Sequence, residues 1–241
     1  MVNPLLVALL SAPVWTIVFI LVSLVVNINL PTKELWDFRN RIVSFIHGLF
    51  LLVSTTMAIS SGRQMGDLND DFEITVIAIS LGYFIYDTLC MWKFGIYDNF
   101  IMLHHGLTII GELTGVSGTY GTIEIMYGTF FAEVSNPFLH IKEILKCAGQ
   151  KETKSHLLAE LVFIVAFFIG RFILGPPITY GVVTSWNVFW LVRLMGFLLE
   201  MQSFKWAYTM YFIVKKRYRE YKIRCKTGQS LPWFVEIKKD K

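Results

Sequence analysis

Charge is scarce in this chain of 241 residues. Asp, Glu, Lys and Arg make up only 17% of it, where a soluble domain carries about a quarter. With 54% hydrophobic residues and a mean hydropathy of +0.54, a soluble core cannot hide the apolar runs, and lipid must. Cysteine is rarer still. Cys90, Cys147 and Cys225 form an odd set without paired spacing, which argues against a disulfide framework or a zinc knuckle. No His-x-x-x-His spacing occurs either, so no metal or other cofactor is expected. There is no Asn-x-Ser/Thr sequon. No basic segment precedes the first apolar run, which is too long for the core of a signal peptide.

What is present is a series of long apolar runs. A helix needs about 20 such residues to cross roughly 30 Å of hydrocarbon. Seven candidate spans emerge: 5–26, 42–60, 72–91, 100–117, 123–141, 157–174 and 186–213. The fifth contains Glu133 and Pro137, and the seventh Arg193, Glu200 and Lys205. The short connections leave no room for a soluble domain. The predicted fold class is therefore an all-α integral membrane protein with about seven transmembrane helices.

Lys and Arg set the orientation. Lys33, Arg39, Arg41, Lys93, Lys142, Lys146, Lys151 and Lys154 fall on one side, together with the run Lys215–Lys226 and the final lysines. Arg63 alone falls on the other, beside Asp67, Asp70, Asp71 and Glu73. This predicts a lumenal N-terminus and a cytosolic C-terminus. The basic tail suits anionic lipid, not nucleic acid.

Ionisable groups inside a bilayer are costly and mark candidate sites. At 1.5 Å per residue, His47, Asp87, His104, His105, Glu133 and Asn136 all lie roughly 6–12 Å from the cytosolic ends of their spans. Four helices thus present acid, imidazole and amide groups at one level. Glu112, Glu124, Arg171 and Arg193 form a second set, for which mutual pairing to fix helix packing is the simplest expectation. Glu200 and Lys205 are expected to snorkel or pair. Tyr83, Phe84 and Tyr86 are candidates to line a lipid pocket.

Four motifs in this order resemble the TLC-domain family, which includes ceramide synthases and translocating-chain-associated membrane proteins. They are Arg41-Ile-Val-Ser-Phe-Ile-His47-Gly, Leu81-Gly-Tyr-Phe-Ile-Tyr-Asp87, Leu103-His-His-Gly-Leu-Thr108 and Ala132-Glu-Val-Ser-Asn-Pro137. The resemblance implies an N-terminal helix and linker over 1–35, a six-helix TLC bundle around a lipid-accepting cavity over 36–218, and a basic cytosolic tail over 219–241. In ceramide synthases a double histidine and downstream aspartates serve acyl transfer from acyl-CoA to a sphingoid amine. His104 and His105 match the double histidine. Glu133 falls where the first aspartate would be, behind Ala132 in place of histidine, and Asn136 replaces the second. An amide is no general base, which weakens ceramide synthesis and leaves a related acyl transfer open.

The leading expectation is a lipid-binding protein of membrane lipid homeostasis, with His47, Tyr83, Tyr86 and Asn136 as lipid contacts. The alternative is an acyl-CoA-dependent N-acyltransferase with His104, His105, Asp87 and Glu133 as its catalytic candidates. A third is a trafficking or translocon-associated factor. The chain ends Lys238-Lys239-Asp240-Lys241, a dilysine pattern that cytosolic coat proteins read as retrieval to the endoplasmic reticulum.

Overall fold

A computed structural model describes residues 3–151 and 153–227, apart from the side chains of residues 224 and 227. Lys238 and Lys239 lie outside the described residues. Apart from one isolated bridge between Leu68 and Tyr120, the regular structure described is helical. It forms the all-α membrane bundle that the apolar runs predict.

The helix ends follow local chemistry. α1 (Pro4–Val25) starts where Asn3 accepts from the Leu6 N–H, with proline at the first helical position. That residue has no N–H to satisfy and its φ is already helical. α2 spans Thr32–Ser60. α3 (Asp71–Phe94) begins at Asp70, whose carboxylate caps the Phe72 N–H, and stops at Gly95, left-handed at φ 64°. Asp98 caps α4 (Asn99–Ser117) in the same way.

The fifth predicted span is broken. α5 (Thr122–Glu133) and α6 (Asn136–Cys147) are separated at Val134 and Ser135. Pro137 explains the break, because it removes the N–H that would bond the Glu133 carbonyl and its ring crowds that turn. The sixth runs past its predicted end at residue 174. α7 (Lys154–Phe168) passes through a π-helical stretch (Ile169–Leu174) into α8 (Gly175–Thr184). Pro176 and Pro177 do not end this helix. They sit in the first turn of α8, where missing N–H groups cost little, and the wider π turn precedes them. α9 (Trp190–Thr227) extends well beyond residue 213, where the seventh predicted span ends.

α1, α2, α3 and the helix from Lys154 to Thr184 are long and apolar enough to cross a membrane. α1 packs chiefly on α3. α2 packs on α5 and α6, α4 on α3 and α9, and α8 on α9. The outward face of α1 leaves Leu6, Leu9, Leu10, Val14, Ile17 and Leu24 at least half exposed, as a lipid-facing surface requires. At Gly82 on α3 the backbones come so close that a Cβ would fall 2.6 Å from the Ala8 carbonyl and 2.9 Å from the Ala12 nitrogen. Small residues permit such approach between membrane helices.

The loop 61–70 is tied down on the ends of α3, α4 and α5. Arg63 Nε lies 2.9 Å from Glu73 Oε1, and Glu73 Oε2 accepts from the Thr122 hydroxyl at 2.6 Å. The hydrogen bond that Arg63 donates to Glu73, with burial only partly opposing it and the Glu73 charge adding to it, holds the Arg63 guanidinium above its ordinary pKa. Asn69 bonds the Gly115 and Gly118 carbonyls and the Thr122 N–H, and the Gly66 N–H donates to Glu124. At the opposite end of the bundle, burial pushes the Glu143 carboxyl up, but Lys142, Lys146 and Arg41 outweigh it and bring it down to about 2.

Candidate functional site

The polar side chains divide into three groups. The first joins α2, α3 and α4 around Asp87. Asn40 Nδ2 donates to Asp87 Oδ1 at 2.6 Å, and Asn40 Oδ1 accepts from the Tyr86 hydroxyl at 2.8 Å. The Tyr83 hydroxyl lies 2.8 Å from Ser44 Oγ and 3.3 Å from Asp87 Oδ2. His105 Nε2 stands 3.5 Å from Asp87 Oδ2, and its Nδ1 is 3.2 Å from the Thr88 hydroxyl. Both ring nitrogens of His105 are therefore occupied, and both residues are buried.

The second group is a relay. The Ser80 hydroxyl donates to Glu112 Oε1 at 2.8 Å, so its oxygen accepts from His47 Nε2 at 3.2 Å. The His47 ring stacks on Tyr83, 3.6 Å between centroids, and meets Trp15 edge-on. Trp15 and Tyr83 belong to the apolar cluster that docks α1.

The third group faces a cavity of about 130 Å³. Its wall includes Leu51, Phe84, His104, Glu112, Glu124, Gly128, Glu133, Arg171, Gly175, Met195 and Glu200. Gln202 Nε2 donates to the Phe100 carbonyl at 3.0 Å, which fixes how the amide is turned. Its Oε1 then faces His104 Nδ1 at 3.2 Å. A carbonyl oxygen only accepts, so Nδ1 carries the ring proton and Nε2 keeps its lone pair. Gln202 selects this tautomer. In ¹⁵N-histidine spectra, one residue absent from a His104→Ala reference should show protonated Nδ1 and bare Nε2. Gln202→Leu should convert that signal to a tautomer mixture. An unchanged spectrum would show that the amide does not set the proton.

The expected set therefore separates. Asp87 pairs with His105, not His104, and neither Asp87 nor His105 lines the cavity. His104 and Glu133 do. Three of the expected lipid contacts lie off the cavity wall. Tyr83 and Tyr86 hold the Asp87 network, and His47 feeds the relay to Glu112. Each is tied up by a neighbour that the sequence did not single out: Ser44, Asn40 and Ser80. Asn136 donates to Glu133 Oε1 at 2.8 Å and so positions that carboxylate.

The expected pairing of Glu112 and Glu124 with Arg171 and Arg193 does not form within ion-pair distance. Arg171 bonds the Ser203 hydroxyl at 3.3 Å, and Arg193 bonds the Val183 carbonyl and covers Trp186. Nor do Lys205 and Glu200 pair: Lys205 lies over the Phe100 ring, while Glu200 turns to the cavity. Asn40, Ser80 and Gln202 carry no charge and no motif, so only the fold reveals them. Among the described residues, no cluster of His, Cys, Asp and Glu is suited to a metal ion.

Residues 32–215 match the TLC-domain family, and the chain belongs to it. It is 25% identical over 205 residues to TLC domain-containing protein 4 C of Dictyostelium discoideum, covering 80% of this chain and 75% of that one. It is 23% identical over 167 residues to TLC domain-containing protein 2 of Danio rerio, covering 66% and 63%. No solved structure matches. α1 precedes the matched region, so the family domain begins with α2.

Proposed function

We propose that the protein binds part of a membrane lipid in the cavity between α4, α5, the π stretch, α8 and α9, and that it acts in membrane lipid homeostasis. The observation that carries this reading is the wall itself, apolar over most of its area and set with a few convergent polar groups inside a bundle of a membrane family. The volume is close to that of an engineered apolar cavity of about 150 Å³ that admits benzene. It therefore suits a headgroup or a short length of chain, the rest of the lipid lying along the bundle. Gly128 gives the test. It lines the cavity, and a Cβ there would meet nothing within 4 Å. Gly128→Leu places a side chain at this exposed edge of the wall, with room for its Cβ, and should lower co-purifying lipid at least tenfold by native mass spectrometry. Lipid retained at wild-type level by the folded variant would sink the reading.

His104 favours a second reading, transfer of an acyl group from acyl-CoA to an amine. A half-buried imidazole with a fixed Nδ1–H and a bare Nε2 on a cavity wall is built as base or nucleophile. Purified protein given labelled acyl-CoA and a long-chain amine would then form amide, and His104→Ala would abolish it. No amide from the wild-type protein removes this reading and leaves the first.

The same proposal places the protein in the endoplasmic reticulum, with loop 61–70 lumenal and the C-terminus cytosolic. Gln64 is exposed on that loop and Cys225 on the far end of α9. In sealed microsomes, an impermeant maleimide should label Cys225 but not Gln64→Cys in a Cys225→Ser background, until detergent is added. The reverse pattern would invert the orientation.

A further inference from the structure

Four deeply buried side-chain atoms without a protein hydrogen-bond partner belong to residues of this one cavity: Arg171 Nε, Glu200 Oε1, Glu112 Oε2 and Glu124 Oε2. All four residues are more than nine-tenths buried. A buried polar atom left unpaired is expensive, and a buried charge more so. They converge on one cavity, where a ligand of matching charge would find its partners.

The signs of the charges define that occupant. Arg171 and Glu200 feel each other electrostatically, yet they stand beyond the 4.0 Å of an ion pair and do not cancel by contact. The Glu200 carboxylate packs close on Gly175, where a Cβ would meet both of its oxygens at 3.0 Å. Glu133, the other acid in reach of Arg171, is already engaged by Asn136 and packed on Gly48. A ligand with only an anion would satisfy Arg171 and leave Glu200 stranded. One with only a cation would do the opposite.

We propose that the cavity selects a zwitterionic headgroup, its phosphate against Arg171 and its ammonium against Glu200, with Glu112 and Glu124 as further acceptors on the wall. Guanidinium suits phosphate because its fork of N–H donors matches the oxygens. The proposal rests on the lipid-binding reading and narrows it to phosphate and ammonium carried by one molecule, lipid or soluble.

The test uses the full chain in nanodiscs of phosphatidylglycerol, challenged with lipids of identical acyl chains. These are phosphatidylethanolamine and phosphatidylcholine (both charges), phosphatidic acid (anion only) and diacylglycerol (neither). Sphingosine serves as the cation-only lipid. At least tenfold preference for the two zwitterions is expected. Glu200→Gln should shift the preference toward phosphatidic acid, and Arg171→Gln toward sphingosine. The wild-type selectivity stands as a test even if one variant fails to fold. Lipid bound without regard to headgroup, or preference for a singly charged lipid, overturns the proposal and spares lipid binding. No lipid bound at all overturns both. Water-soluble phosphoethanolamine competing as well as the lipid would support the zwitterion site and assign it a soluble occupant.

Discussion

Gly82→Ala should separate α1 from the rest of the bundle. The new methyl would lie 1.8 Å from Ser11 Oγ, and still closer than contact to two backbone atoms of α1. The serine could rotate away, but backbone cannot, so the helices must part. Parting breaks the Trp15 indole bond and the Ser11 hydroxyl bond to the Ile79 carbonyl. It also opens the cluster of Trp15, Phe19, Tyr83 and Phe84. Overpacking alone costs about 1–3 kcal/mol, and the lost contacts add to it. Thermal unfolding in detergent should show a markedly lower midpoint. Disulfide trapping between cysteines placed on α1 and α3 should fall with it. A variant as stable and as readily trapped as the wild type would mean that the two helices do not meet at this glycine.

Asp87→Ala should be comparably damaging, for an electrostatic reason. The carboxylate receives Asn40 Nδ2 and faces Tyr83 and His105. Removing it strands donors from three helices in a buried space. Breaking a buried pair from one side costs about 3–5 kcal/mol, because the remaining partner stays desolvated. Asp87→Asn keeps the shape and one acceptor oxygen, and should recover part of the loss. The distinguishing measurement is lipid retention by whatever fraction still folds. Asp87 does not line the cavity, so that fraction should bind normally. Folded protein that has lost its lipid would instead place Asp87 in the binding machinery.

The spans were legible because hydrocarbon thickness imposes a length on each apolar run, and the caps at Asp70 and Asp98 because they are local. The route from Ile169 to Thr184 was not. Gly175-Pro176-Pro177 reads as a stop, and only the π stretch before it, which leaves the prolines in a first turn, carries the helix through. The candidate site was legible as a level in the membrane but not as a set of partners. Depth along a helix follows from residue number, whereas azimuth depends on packing. His104 and His105 are adjacent and sit at nearly the same depth, yet one faces the cavity and the other faces Asp87. Likewise nothing in the order of residues tells that Arg171 and Glu200 share a wall without touching, since that depends on how closely Glu200 packs on Gly175.

The π stretch makes the site sensitive to chain length. A turn closed over five residues holds one residue more than an α turn, so the two halves of this long helix are out of phase. Removing a single residue between Ile169 and Leu174 would take out the extra residue, although Pro176 and Pro177 would still leave two rungs of the ladder without an N–H. It would also turn one half by about 100° relative to the other, taking either Arg171 or Gly175 off the cavity wall. A one-residue deletion here should therefore lower co-purifying lipid, whereas point substitutions on the outer face of the same turn should be silent.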